Sequence, residues 1–314
     1  MTMHPAFLFP GQGSQAIGML AELAAAFPLV RATFDEASQL LGRDLWRLSQ
    51  EGPKEALDQT LNTQPVMLAA GVAVWRVWRE QGGAMPSVMA GHSLGEYSAL
   101  SCAGALTFEE AVRLVVERAR LMQSAVPAEA GAMAALLGLD DDAVAELCQS
   151  QAAGQVLEPV NFNAPGQVVI AGERAAVQRA IDASKAAGAK RAVLLPVSVP
   201  SHSALMREAA TELAAQLEQT EFHVPSIPVI HNVSVELAES PALIRQRLAE
   251  QLFSPVRWVE TVRAIADRGV QLGIEAGPGK VLTGLGKRID KRLTILPVFG
   301  PEGLSSALEA STHA

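Results

Sequence analysis

Gly91-His92-Ser93-Leu94-Gly95 fits the pattern G-x-S-x-G. A short apolar run, Ser87 to Ala90, enters it, and a stretch with helical character leaves it. This is the setting a nucleophile elbow requires. Glycines on both sides allow a tight turn, and the serine hydroxyl is pushed into the open at a helix N-terminus. The helix dipole and free N–H groups there can stabilise an oxyanion. Judged on these residues alone, a serine N-cap in an ordinary strand-to-helix connection explains the motif equally well.

A serine nucleophile needs a base, most often histidine. Six histidines are present. His4 and His313 lie near the termini. His92 adjoins the serine, and in an elbow its side chain should point away. His223 and His231 lie in or beside strand segments. His202 follows "LLPVSVPS" and opens a helical stretch, so it sits at a strand end, where α/β enzymes place their chemistry. The competing reading is a helix-start histidine bonded to a neighbour. No Asp or Glu is marked by the local sequence as its orienting partner.

A third candidate is an arginine. The periodicity of Thr107 to Gln123 predicts an amphipathic helix with Thr107 as N-cap. Glu110, Arg113, Glu117 and Arg120 share its solvated face. Arg118 falls instead on the stripe of Ala111, Leu114, Leu121 and Met122. An unpaired buried charge is costly, so Arg118 must meet an anion or reach water. Its planar fork suits a carboxylate, internal or belonging to a substrate. With nothing more to go on, a buried stem with its head in water is the simpler reading.

"FPGQGSQ", Phe9 to Gln15, follows the first apolar run. Gly11-x-Gly13-x-x-Ala16 formally matches the dinucleotide fingerprint. That fingerprint requires a second strand ending in an acidic residue about twenty residues on. Asp35 and Glu36 fall instead in "LVRATFDEASQLLG", which has helical spacing. The loop is better read as donating a backbone N–H, from Gln12, to an oxyanion hole completed by the N–H of Leu94.

These residues must be held by something. The chain has 314 residues, 49% hydrophobic and 18% charged, which is ample for a buried core. A formal net charge of -8 argues against tracking nucleic acid or an anionic membrane. Two cysteines, Cys102 and Cys148, form neither a disulfide framework nor a metal cluster. No charged n-region with a following apolar stretch opens the chain, and no apolar run approaches the roughly 18 residues of a membrane span. A cytoplasmic protein is expected. Strand-like and helix-like segments alternate, which predicts an α/β fold with a parallel sheet. Between Gly131 and Ser198 the order is β-α-β-β-α-β, the ferredoxin-like pattern. The expected division is a large domain from 1-127 and 199-314 with a small subdomain, 128-198, inserted in it.

Taken together, "FPGQGSQ", "GHSLGEYSAL", "ERARLMQ", "NFNAPGQVVIAG", "PVSVPSHSALM", "EQLFSPVRW" and "EAGPGKVLTGL" resemble the malonyl-CoA:acyl carrier protein transacylases, in order and over nearly the whole chain. The resemblance implies an α/β-hydrolase-like large domain with a ferredoxin-like insert. It implies that Ser93 is acylated, that His202 is its base, and that the N–H groups of Gln12 and Leu94 form the oxyanion hole. It implies that Arg118 binds the malonyl carboxylate, against the simpler reading above. It also implies that a backbone carbonyl at Gln251 orients the histidine, which accounts for the missing acid. Asn161 and Asn163 match a segment near the substrate cleft. Malonyl-CoA and an acyl carrier protein are the implied partners, no metal or redox cofactor is called for, and a monomer is expected. Acyl carrier proteins are acidic, so Lys190, Arg191, Lys287, Arg288, Lys291 and Arg292 are docking candidates, though each could equally be an ordinary solvated cation.

Overall fold

The computed structural model describes residues 4–127, 129–197 and 199–312. Ala128 and Ser198, where the sequence places the ends of the small subdomain, lie outside the described residues, as does His313.

Five short strands build a parallel sheet: β1 (Ala6–Phe9), β2 (Val88–Gly91), β7 (Val229–Ile230), β8 (Leu272–Ala276) and β9 (Thr294–Val298), in the order β7-β2-β1-β8-β9. β1, β2 and β8 are buried at every position, as strands covered on both faces must be. Alternation sorts their side chains. Phe7 and Phe9 point into one core with the helices Thr60–Glu80 and Phe108–Ser124. Ala6 and Leu8 point into a second core with the helices Trp258–Asp267 and Val281–Ile289.

A second sheet is antiparallel: β3 (Gly131–Leu137), β4 (Leu157–Ala164), β5 (Gln167–Glu173) and β6 (Arg191–Leu194), in the order β4-β5-β3-β6. With helices Asp141–Ala152 and Arg174–Ser184 as its two crossovers, this is the ferredoxin-like arrangement. Ala132, Ala134, Leu136, Val168 and Ile170 pack under those helices. Met133, Val160, Val169 and Ala171 make the opposite face, together with Leu195 and Val197. β4 is tied to the parallel-sheet side through Val256: Phe162 N–H donates to its carbonyl at 3.0 Å, and its own N–H donates to the Val160 carbonyl at 2.9 Å.

Element bounds differ from the sequence reading where tertiary contacts intervene. The helix Thr60–Glu80 contains Pro65. Proline cannot donate to the carbonyl four residues back. That carbonyl, of Leu61, accepts instead from Arg43 Nη2 at 2.9 Å. The helix predicted from Ser201 begins only with a 3-10 turn at Ala204–Met206 and runs from Arg207 to Gln219. His202 has φ +67°, a left-handed conformation that no right-handed helix accommodates. The strand segment expected at His231 is only Val229–Ile230, because the N–H of Asn232 goes to Glu96 rather than to a ladder.

Candidate active site

The elbow is built by close approach. A Cβ on Gly91 would stand 1.8 Å from the carbonyl carbon of Gly95, and one on Gly95 would stand 2.1 Å from the Phe9 carbonyl oxygen. Only glycine fits either place. Ser93 between them has φ +51°, a strained conformation for a residue with a side chain. Its N–H donates to Asn232 Oδ1 at 2.7 Å, which locks the turn. The helix Gly95–Cys102 starts immediately after.

Ser93 Oγ lies 2.7 Å from His202 Nε2. His202 Nδ1 lies 2.8 Å from the Gln251 carbonyl oxygen, which can only accept. The proton is therefore on Nδ1, and Nε2 is left bare to take one from the serine. His202 is 3% exposed. Burial first, and the Arg118 cation second, push its pKa down to about 3, so the ring is a neutral base at physiological pH.

Arg118 is 1% exposed. The water-reaching head, the simpler expectation from the residues alone, is overturned: helix Phe108–Ser124 aims the whole side chain inward. Nη2 donates to Ser93 Oγ at 3.2 Å and to Gln251 Oε1 at 2.9 Å. Nε has no partner, and among the described residues no carboxylate forms an ion pair with the group. The Tyr97 ring centroid lies 5.6 Å from Cζ. A buried guanidinium with only neutral acceptors retains the capacity to pair with an anion.

The first turn reaches the same spot. A Cβ on Gly11 would stand 2.5 Å from the His92 carbonyl oxygen, so the loop abuts the elbow. Neither the Gln12 nor the Leu94 N–H donates to another described protein group. Both residues line a cavity of about 190 Å³ together with Ser93, Arg118 and His202. The N–H pair, the strained serine, the neutral histidine and the cation converge on one volume, as acyl transfer through a serine ester requires.

Residues 6–300 match the acyl transferase domain family. This chain belongs to that family. It is 57% identical over 303 residues to the malonyl CoA-acyl carrier protein transacylase of Salmonella typhimurium, covering 96% of this chain and 98% of that one. It is 45% identical over 305 residues to the enzyme of the same name from Bacillus subtilis, covering 97% and 96%. The structure of the malonyl CoA-acyl carrier protein transacylase from Coxiella burnetii superposes with a TM-score of 0.98 at 50% identity, over 100% of this chain and 99% of that one. A malonyl-transacylase solved in complex with the holo form of a type II polyketide acyl carrier protein superposes with a TM-score of 0.96 at 57% identity, over 98% and 99%.

The remaining sequence candidates are distributed around this acyl transferase centre. Asn161 and Asn163, on β4, line the cavity, and Asn163 Oδ1 lies 2.7 Å from His92 Nε2. His92 also lines the cavity, and its ring lies against Trp258 with centroids 5.4 Å apart. Lys190 and Arg191 are exposed at the start of β6, and Lys287 and Lys291 are exposed beyond the second core. Arg288 is engaged by Gln167 Oε1 at 2.6 Å and the Pro165 carbonyl at 2.9 Å. Arg292 is paired with Asp267 at 2.8 Å and Asp290 at 2.6 Å. Those two arginines have protein partners while remaining exposed, and the other four cations make no side-chain hydrogen bond or ion pair among the described residues.

Sequence reasoning missed the support beneath the elbow. Glu96, His231 and Asn232 are all fully buried, and so is the Gln251 side chain. Their partners are more than 130 residues apart along the chain, and no spacing rule connects them. The one available signal was polar residues in apolar surroundings, as in the strand-like "PVIHNV".

Proposed function

We propose that this chain transfers malonyl groups from malonyl-CoA to the phosphopantetheine thiol of an acyl carrier protein, through an ester on Ser93. The carrying observation is the buried Arg118 guanidinium, which has no carboxylate partner among the described residues and lies 3.2 Å from the nucleophile. Relatives and solved structures named for this reaction over nearly their whole length support the reading.

In the first half-reaction Ser93 Oγ attacks the thioester carbonyl and its proton passes to His202 Nε2. The Gln12 and Leu94 N–H groups take the oxyanion, and Arg118 holds the malonyl carboxylate. Collapse breaks the carbon–sulfur bond, and His202 returns the proton to the departing CoA thiolate. In the second half the carrier thiol gives its proton to His202, attacks the ester, and restores the serine. No step draws on a metal or a redox cofactor. Lys190, Arg191, Lys287 and Lys291 are the cations free to meet an acidic carrier. Two free cysteines accord with a cytoplasmic place for the reaction. Fatty acid synthesis is the pathway this reading assigns to the transfer, and the carrier-bound structural neighbour, solved with a type II polyketide carrier, favours a polyketide carrier as the second reading.

Intact-mass measurement tests the core of this. Mixed with malonyl-CoA and no carrier, the protein should gain one malonyl group, weakly or not at all with acetyl-CoA, and Ser93→Ala should gain none. Rapid CoA release with no adduct would mean a thioesterase instead.

A further inference from the structure

Glu96 stands one helical turn beyond the nucleophile and is 0% exposed. Its carboxylate meets N–H donors only. His231 Nδ1 lies 2.7 Å from Oε1, and Oε2 accepts from the Asn232 N–H at 3.0 Å and from Gln251 Nε2 at 2.9 Å. Close by, Arg118 is equally buried, and the two side chains interact through their charges. In such surroundings a carboxylate and a guanidinium ordinarily pair directly, often through two hydrogen bonds. Here they do not. The Gln251 side chain stands between them: Oε1 accepts from Arg118 Nη2 at 2.9 Å, while Nε2 donates to Glu96 and to the Ser93 carbonyl at 3.1 Å. The amide can stand only one way round, since its oxygen faces a cation and its nitrogen faces a carboxylate.

We infer that Gln251 is a neutral spacer that keeps Glu96 from closing on Arg118, so that the guanidinium stays free for the substrate carboxylate. The inference rests on the reading of Arg118 given under the proposed function. Gln251 and Glu96 are then positioning residues that set specificity. Glu96 supplies opposite charge at one remove, enough to keep a buried cation tolerable without consuming it. The Ser93 carbonyl contact fixes the spacer to the elbow, so nucleophile and guanidinium are placed by one side chain.

The test is Gln251→Glu, with Gln251→Met and Arg118→Ala alongside, each assayed for loading from malonyl-CoA and acetyl-CoA. The backbone carbonyl that orients His202 survives in every variant. Gln251→Glu puts a carboxylate where the spacer was, so Arg118 is satisfied internally. The malonyl-to-acetyl ratio of kcat/KM should fall roughly 30-fold or more, as expected for loss of a buried charge partner, over and above any loss through the elbow that both substrates share. Gln251→Met removes all three side-chain hydrogen bonds without adding charge. It should raise the malonyl-CoA KM roughly tenfold beyond any change in the acetyl-CoA KM, the scale of a lost hydrogen bond to a charged group, since a loss through the elbow is common to both substrates. Thermal melting shows whether each variant folds, and Gln251→Met carries the test alone if Gln251→Glu does not. Equal losses of malonyl and acetyl loading would make Gln251 mere scaffolding and overturn the spacer. If Arg118→Ala leaves the ratio unchanged, the reading of Arg118 fails, and the spacer fails with it. A collapsed ratio in Arg118→Ala with an intact ratio in both Gln251 variants overturns the spacer alone.

Discussion

The two walls of the cleft are made of different materials. On the parallel-sheet side each proposed catalytic or binding group is tied: Ser93 through Asn232, His202 through the Gln251 carbonyl, Arg118 through the Gln251 amide. On the ferredoxin-like side the lining is Met133, Val169, Leu195 and Val197, with Asn161 and Asn163 at its end. The first wall is polar, buried and strained, with both Ser93 and His202 in left-handed backbone. The second is apolar and ordinary. Chemistry needs atoms fixed to a few tenths of an ångström, and hydrogen bonds supply that. Exclusion of water and a fitted volume need only packed side chains.

The sharpest way to break this comparison is to truncate one residue in each wall. His202→Ala removes the base and should lower malonyl loading by roughly 10²–10⁴-fold. Leu195→Ala opposite it should change loading by less than about fivefold, and chiefly through KM. Stopped-flow measurement of CoA release from malonyl-CoA reads both. Comparable losses would show that the apolar wall positions the reacting atoms too.

The walls also differ in how far the sequence reveals them. The ferredoxin-like side was legible as an order of elements, because alternation and helical spacing are local properties that each strand and helix carries in itself. The elbow was legible because both glycines flank the serine at a fixed spacing, although only Gly91 is demanded by a contact within the turn and Gly95 is demanded by Phe9 on β1. The support beneath it was not, because Glu96, Asn232 and Gln251 meet only after the chain has closed on itself. Arg118 lay between these cases. Helical spacing placed it on the apolar stripe, yet whether the stripe was deep enough to hide the head depended on Tyr97 and Gln251, which belong to other elements. His202 was chosen for lying at a strand end, but its backbone turn, which delays the following helix, has no signature in the residue types.

A milder contrast concerns the two half-reactions. The polar wall should serve both equally, whereas a surface that docks the carrier should matter only to the second. Reversing charge at Lys190 and Arg191, or at Lys287 and Lys291, should raise the apparent KM for the acyl carrier protein about three- to tenfold, on the scale of exposed charge contacts. Loading from malonyl-CoA should be unaltered. A set whose reversal changes neither step is not the docking surface.

The smallest expected effect is an absence of change with pH, and it comes from the same tied wall. A histidine near its ordinary value of about 6.5 would be almost wholly protonated at pH 5, and loading would drop roughly 30-fold between pH 8 and 5. His202, pushed down to about 3 by burial and then by Arg118, stays neutral throughout, so the loading rate should vary by less than about twofold. Stability must behave differently. The unfolded chain binds a proton at His202 below about pH 6.5 and the native chain does not, so native stability is full above that value and is lost as pH falls toward 3, by up to about 1.4 kcal/mol per unit. His92, lowered by burial as well, acts in the same direction. Thermal midpoints should therefore fall between pH 7 and 5 while the initial rate holds. In Arg118→Ala the repelling cation is gone, so the acid limb of the rate profile should move up. A limb that stays in place would assign the depression to burial alone and uncouple the base from the carboxylate site.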